Sequence, residues 1–124
     1  MARQAPLDEG QTARLISSSK VAGTRVYNRD GDPIGEIEDV MIDKFSGEVA
    51  YAILSFGGWL GIGEKYHPLP WSALDYDPKF EGYRLEIDRG TLERAPSYSR
   101  QELTGEHAWR ERIHLYYGSG PFGA

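Results

Sequence analysis

Apolar residues in this chain fall in short runs cut by glycine, proline, asparagine and aspartate, the spacing of an all-β domain rather than a helical one. Val21 to Tyr27 predicts a first strand. Asn28-Arg29-Asp30-Gly31-Asp32 closes it with side chains that favour turn geometry, and Pro33 fixes the exit. The second strand of that hairpin, Ile34 to Asp43, breaks strict alternation: Ile34, Val40 and Ile42 share one parity and Ile37 takes the other. A β-bulge near Glu38-Asp39 reconciles them by re-aiming the strand; the alternative leaves one isoleucine in solvent. Lys44-Phe45-Ser46-Gly47 supplies the next tight turn, with Gly47 available for a positive φ.

The strand that follows, Val49 to Phe56, has Val49, Tyr51 and Ile53 on one face and Ala50, Ala52, Leu54 and Phe56 on the other. Neither face suits water. One fills a barrel, and the other needs a cover, supplied either by the chain's own C-terminal segment or by a second molecule. Gly57 to Gly63 then sets four glycines around Trp59, Leu60 and Ile62. It leads into Tyr66-His67-Pro68-Leu69-Pro70-Trp71, whose prolines confine any strand to a sheet edge. Ser72 to Leu74 reads as a turn or a single helical turn, and Asp77-Pro78 starts a reversal. Gly82 to Asp88 alternates, with Tyr83, Leu85 and Ile87 inward against Arg84, Glu86 and Asp88.

Beyond Asp88 the period changes. Thr91 to Arg94 predicts a helical turn, and Ser99-Arg100-Gln101-Glu102 has the spacing of a capping box. Over His107 to Tyr117, Trp109, Ile113, Tyr116 and Tyr117 form one apolar stripe at helical spacing, ended by Gly118. The chain thus divides into a polar tail, residues 1–13, a barrel over 14–98 and a helical extension over 99–124.

Composition narrows the function classes. A chain of 124 residues builds one domain with an ordinary apolar core. The absence of cysteine excludes disulfides and thiolate metal sites and suits a reducing cytosol, so a cytoplasmic location is expected. With 14 Lys and Arg against 19 Asp and Glu the net charge is −5, which repels a phosphate backbone and argues against a nucleic-acid partner. The longest apolar run, Val49 to Leu54, falls far short of the ~20 residues that span a bilayer, and the first residues carry no secretory signal pattern.

Catalytic and cofactor chemistry finds little support. Gly58, Gly61 and Gly63 lack the order and the following helix of a dinucleotide loop. Glu36, Glu38, Asp39, Asp43 and Glu48 crowd two adjacent strands, but without the spacing of a calcium cage they read as a solvated acidic face. His67, His107 and His114 are spread over two elements, against the compact cluster zinc requires. No Gly-x-Ser-x-Gly elbow or cysteine nucleophile is present. No catalytic residue, metal ligand or cofactor is assigned.

Ser19 to Asn28, Pro33 to Val40, Ser46 to Ala52 and Gly57 to Trp71, taken in order and spacing, resemble the PRC-barrel family. The resemblance implies a mainly β fold, a small antiparallel barrel here followed by a C-terminal helical segment. Relatives sharing that barrel are the cytoplasmic part of the photosynthetic reaction-centre H subunit and the C-terminal domain of a bacterial ribosome-maturation factor. It implies binding or assembly rather than catalysis.

Surplus apolar surface on a charged chain points the same way, to a self-associating binding module, a dimer above all. The residues expected to meet a partner are Trp59, Leu60, Ile62, Tyr66 and Trp71 around the glycine loop, Tyr51 and Ile53 on the outer strand face, and Trp109, Ile113, Tyr116 and Tyr117 on the helical stripe. Trp59 has a second possible use, as a plug in the barrel mouth. A small-molecule or metal-ion sensing barrel and an adaptor of the ribosome-maturation kind are the alternatives.

Overall fold

Asn28 organises the first hairpin: its side-chain oxygen accepts from the backbone N–H groups of Asp30 and Asp32, both at 2.9 Å, and Gly31 takes φ 88°. The computed structural model describes residues 11–55, 66–105 and 108–118. Before the hairpin, Ser17 caps a single helical turn, α1 (Ser18–Val21), so the expected strand from Val21 shortens to β1 (Arg25–Tyr27). The physical reason is local: Ser17 offers a hydroxyl to the N–H of Ser19, and Gly23, at φ 91°, turns the chain before Arg25.

After the turn comes β2 (Pro33–Ile42), then β3 (Val49–Ser55). The predicted bulge is present. Ile37 faces Leu54 and Asp39 faces Ile53, which leaves Glu38 as the extra residue; a separate shift against β1, where Val26 faces Gly35 and Tyr27 faces Pro33, skips Ile34, so Ile34 and Ile37 both reach the core while Ile42 stays exposed. A second irregularity, between Met41 and Ile42, leaves Ala50 unmatched on β3. Between these strands, the Asp43 carboxylate accepts from the N–H groups of Phe45 and Ser46, and Gly47 takes φ 79°. Those two backbone donors, Ser46 foremost, hold the Asp43 carboxyl below the ordinary carboxylate range.

Further along lie β4 (Tyr66–Pro70), a 3₁₀ turn (Trp71–Ala73), β5 (Leu74–Asp77) and β6 (Gly82–Leu85). The sheet order is β4-β3-β2-β1-β6-β5. β4 and β5 occupy opposite edges yet are joined by that one short turn, so the sheet must curl into a half-barrel. Its pairings are antiparallel except for β1 with β6, which run parallel. The prolines of β4 sit at a sheet edge, as their missing N–H requires. β5 was hidden in the sequence behind the turn expected at Ser72 to Leu74, because only Leu74 of its four residues is buried.

Val26, Ile37, Leu54, Leu69 and Leu85 are fully buried inside the curl. Three helices complete the chain: α2 (Arg89–Glu93), α3 (Arg100–Gly105) and α4 (Ala108–Tyr117). Asp88 caps α2 through the N–H of Thr91, at 2.7 Å. The capping box of α3 closes in both directions, Glu102 N–H to Ser99 Oγ at 3.2 Å and Ser99 N–H to Glu102 Oε1 at 2.8 Å.

His67 lies within the sheet at 6% exposure, its ring bonded to the backbone of Pro96. Burial lowers its pKa from 6.5, opposed in part by that hydrogen bond. Below pH 6.5 the unfolded chain therefore binds the proton more readily than the native one, and stability falls as pH drops through that value. Urea midpoints measured across this range are expected to decline on acidification. His67→Gln, which keeps a donor for the Pro96 carbonyl, is expected to flatten the decline; an unchanged slope would assign it to other groups.

Candidate functional site

The outer face of β3 is covered by the chain itself. Helix α4 packs along β4 and reaches that face at Tyr51: Trp109 meets Tyr51 edge to face at 5.0 Å and donates its indole N–H to the Leu103 carbonyl at 3.0 Å. Ile113 is fully buried and Tyr117 nearly so, and burial pushes the Tyr117 phenol up from its usual pKa. Tyr116 ties α4 to α2 through a 2.6 Å hydrogen bond from its hydroxyl to the Thr91 carbonyl.

Of the residues expected to meet a partner, Tyr51, Ile53, Tyr66, Trp109, Ile113 and Tyr117 are thus buried within one chain, and Tyr116 is packed against the same core. As placed they offer a second molecule little surface, because the strand face and the helix stripe pack into the core of one chain. Tyr66 serves as a staple: its backbone pairs with Tyr98, and the Arg100 guanidinium lies 4.9 Å over its ring with a 3.2 Å bond to its hydroxyl. Trp59, Leu60 and Ile62 lie outside the described residues.

Trp71 is different. It is half-buried, edge-on to Tyr83 at 5.3 Å, and forms one wall of an open groove of about 660 Å³ between the start of β3, the end of β4 and α4. The 3₁₀ turn positions it, since Pro70 ends β4 and swings the next residue off the sheet edge. Tyr51, Pro70 and Val49 add apolar surface; Arg110 and His114 supply the polar side. The Tyr51 hydroxyl is hydrogen-bonded to His114 Nε2, and the Arg110 guanidinium stands 5.8 Å over the Tyr51 ring with Asp43 near enough to act on its charge.

Around the groove the described apolar side chains are unusually open. Phe45, at the tip of the β2–β3 hairpin, is 100% exposed, Leu115 on α4 80%, and Ile42 51%. Leu115 shares a neighbouring concavity with Arg110 and His114, so hairpin tip, groove and outer α4 face belong to one end of the molecule. The sequence reading took Phe45 as a turn residue, weighed His114 only as a metal ligand and did not single out Arg110. Their helical spacing, Arg110 to His114, was the available signal that both face one way.

A second concavity of about 450 Å³ lies among Lys20, Arg25, Tyr27, Tyr76, Phe80 and Glu81, floored by Tyr27 stacked on Phe80 at 4.7 Å. Among the described residues no three of histidine, aspartate and glutamate group as metal ligands, and no helix is long and apolar enough to cross a membrane. The groove holds hydrogen-bond donors and aromatic walls, a set suited to binding.

An uncharacterised protein of Deinococcus radiodurans is 28% identical to this chain over 53 residues. The match takes in 43% of the chain and 19% of that protein, so the chain spans only a small part of its relative's length. The PRC-barrel domain profile matches residues 14–92, from α1 through β6 and into α2. That span holds every strand of the half-barrel, and the chain belongs to the PRC-barrel family.

Proposed function

We propose that this chain is a non-catalytic protein-binding or assembly module that self-associates through the end of the barrel bearing the β2–β3 hairpin tip and the outer face of α4. The observation that carries the reading is Phe45, a fully exposed aromatic, with Ile42 and Leu115 also exposed; among the described residues Leu15 and Tyr76 are the other large apolar side chains left open. An aromatic anchor rimmed by charge is the usual centre of a protein interface. Two copies related by a two-fold axis can pack these exposed side chains against each other beside the groove, closing the assembly at a dimer. Membership of the family supports binding over chemistry. A cytoplasmic site of action fits the cysteine-free composition.

Sedimentation velocity tests this. The wild-type chain is expected to form dimers at high micromolar concentration. Phe45→Ser combined with Leu115→Ser is expected to weaken the dimer by at least about tenfold while leaving the melting temperature in place, since both side chains are exposed. A strictly monomeric wild type, or a variant that dimerises equally well, removes the self-association claim.

A further inference from the structure

We propose that the groove between β3, the 3₁₀ turn and α4 binds an extended acidic peptide segment of a partner protein, with a carboxylate held by Arg110 and His114. This rests on the reading of the barrel as a binding module and names the chemistry of what it binds.

Backbone comes first. β4 stops at Pro70, opposite Tyr51, so Glu48, Val49 and Ala50 run on with no strand on that side, and Ala50 is the residue that the β2–β3 irregularity leaves unmatched. These three residues line the groove. An open stretch of strand edge is a template for one more extended segment, whose main chain supplies the pairing whatever its side chains.

Charge selects the segment. Among the described residues Arg29, Arg84 and Arg100 each have a carboxylate within 4.0 Å, whereas Arg110 has none, Asp43 lying farther off. An arginine held over an aromatic ring, bonded to the Tyr51 hydroxyl but to no carboxylate among the described residues, on a chain of net charge −5, can offer its remaining donors to an anion. His114 engages Tyr51 through Nε2, and its other ring nitrogen makes no further hydrogen bond among the described residues. Trp71, Pro70 and Tyr51 give the alternate side chains of the segment an apolar wall. Glu48 stands at the hairpin side of the same groove, so the acid of the ligand belongs at the α4 side. A lone arginine and a net negative charge disfavour a polyphosphate backbone.

The probe is a blocked heptapeptide of alternating valine and glutamate, titrated into the ¹⁵N-labelled full chain, with peptides carrying glutamine or lysine in place of glutamate as controls. The glutamate peptide is expected to shift the Val49 and Ala50 amides, the Trp71 indole and the Arg110 side chain, and Arg110→Gln to raise its Kd at least about tenfold. Arg25→Gln, at the separate concavity, is expected to change nothing. Equal binding of the glutamine peptide, shifts confined to other residues, or no binding at millimolar peptide overturns the proposal. So do groove shifts that follow protein concentration alone and resist the peptide, because they make a second copy the occupant. Dimers that persist while the peptide fails leave the assembly reading standing; loss of both removes the two together.

Discussion

Trp109→Ala is expected to lower the stability of the protein by about 3–5 kcal/mol, the range for deleting a large buried aromatic. Trp109 is 4% exposed, closes the outer face of β3 through Tyr51, and donates the hydrogen bond that satisfies the Leu103 carbonyl. Removing it opens a cavity and leaves that acceptor without its donor, two costs that add in the same direction. Against a total of about 5–15 kcal/mol for a typical domain, the melting temperature should fall by roughly 10–20 °C. Leu115→Ala on the other face of the same helix is the control, expected within about 0.5 kcal/mol of wild type because the side chain is 80% exposed. Urea unfolding of both variants measures the difference. A loss below about 1 kcal/mol at Trp109 would mean that α4 does not cover the barrel in solution.

Gly35→Ala is expected to cost about 2–3 kcal/mol, near the upper end for overpacking. Gly35 lies in β2 opposite Val26 of β1, and a methyl group there would run into the Ser55 backbone carbonyl across the sheet. Backbone cannot rotate aside as a side chain can, so the sheet itself must shift. Gly47→Ala separates this steric effect from conformational strain: Gly47 has φ 79° but nothing within 4 Å of where a methyl would sit. Its cost is expected at about 1 kcal/mol, that of a left-handed backbone alone. Chemical denaturation compares the pair, and equal losses would refute the close approach at Gly35.

Both predictions depend on sites that differ in how visible they are in one dimension. The bulge at Glu38 was readable, because Ile37 and Val40, of opposite parity, could share a face only with an extra residue between them. The capping box at Ser99 and the turn at Asn28 were equally local, since the atoms that bond are two to four residues apart. β5 was not readable, for three of its four residues face away from the core and its pairing with β6 is made across a reversal. The groove was legible only in part: Trp71 and Tyr51 stood out as aromatics, but Arg110, His114 and Phe45 acquire meaning only from one another.

What the amino-acid sequence determined by itself is the local grammar of the chain, its turns, caps, bulge and helical stripe, with the barrel family entering through the resemblance of particular segments. Those features follow from interactions within a few residues or from the two strict periods of strand and helix. Only the tertiary structure decided which surface covers the outer face of β3. A strand with two apolar faces and a helix with one apolar stripe are compatible with packing inside one chain or between two. The choice rests on the path of residues 86 to 105, a matter of geometry that no periodicity encodes. With Tyr51 under α4 and Ile53 buried, the apolar side chains left open among the described residues include Phe45, Ile42 and Leu115, and the groove lies beside Trp71.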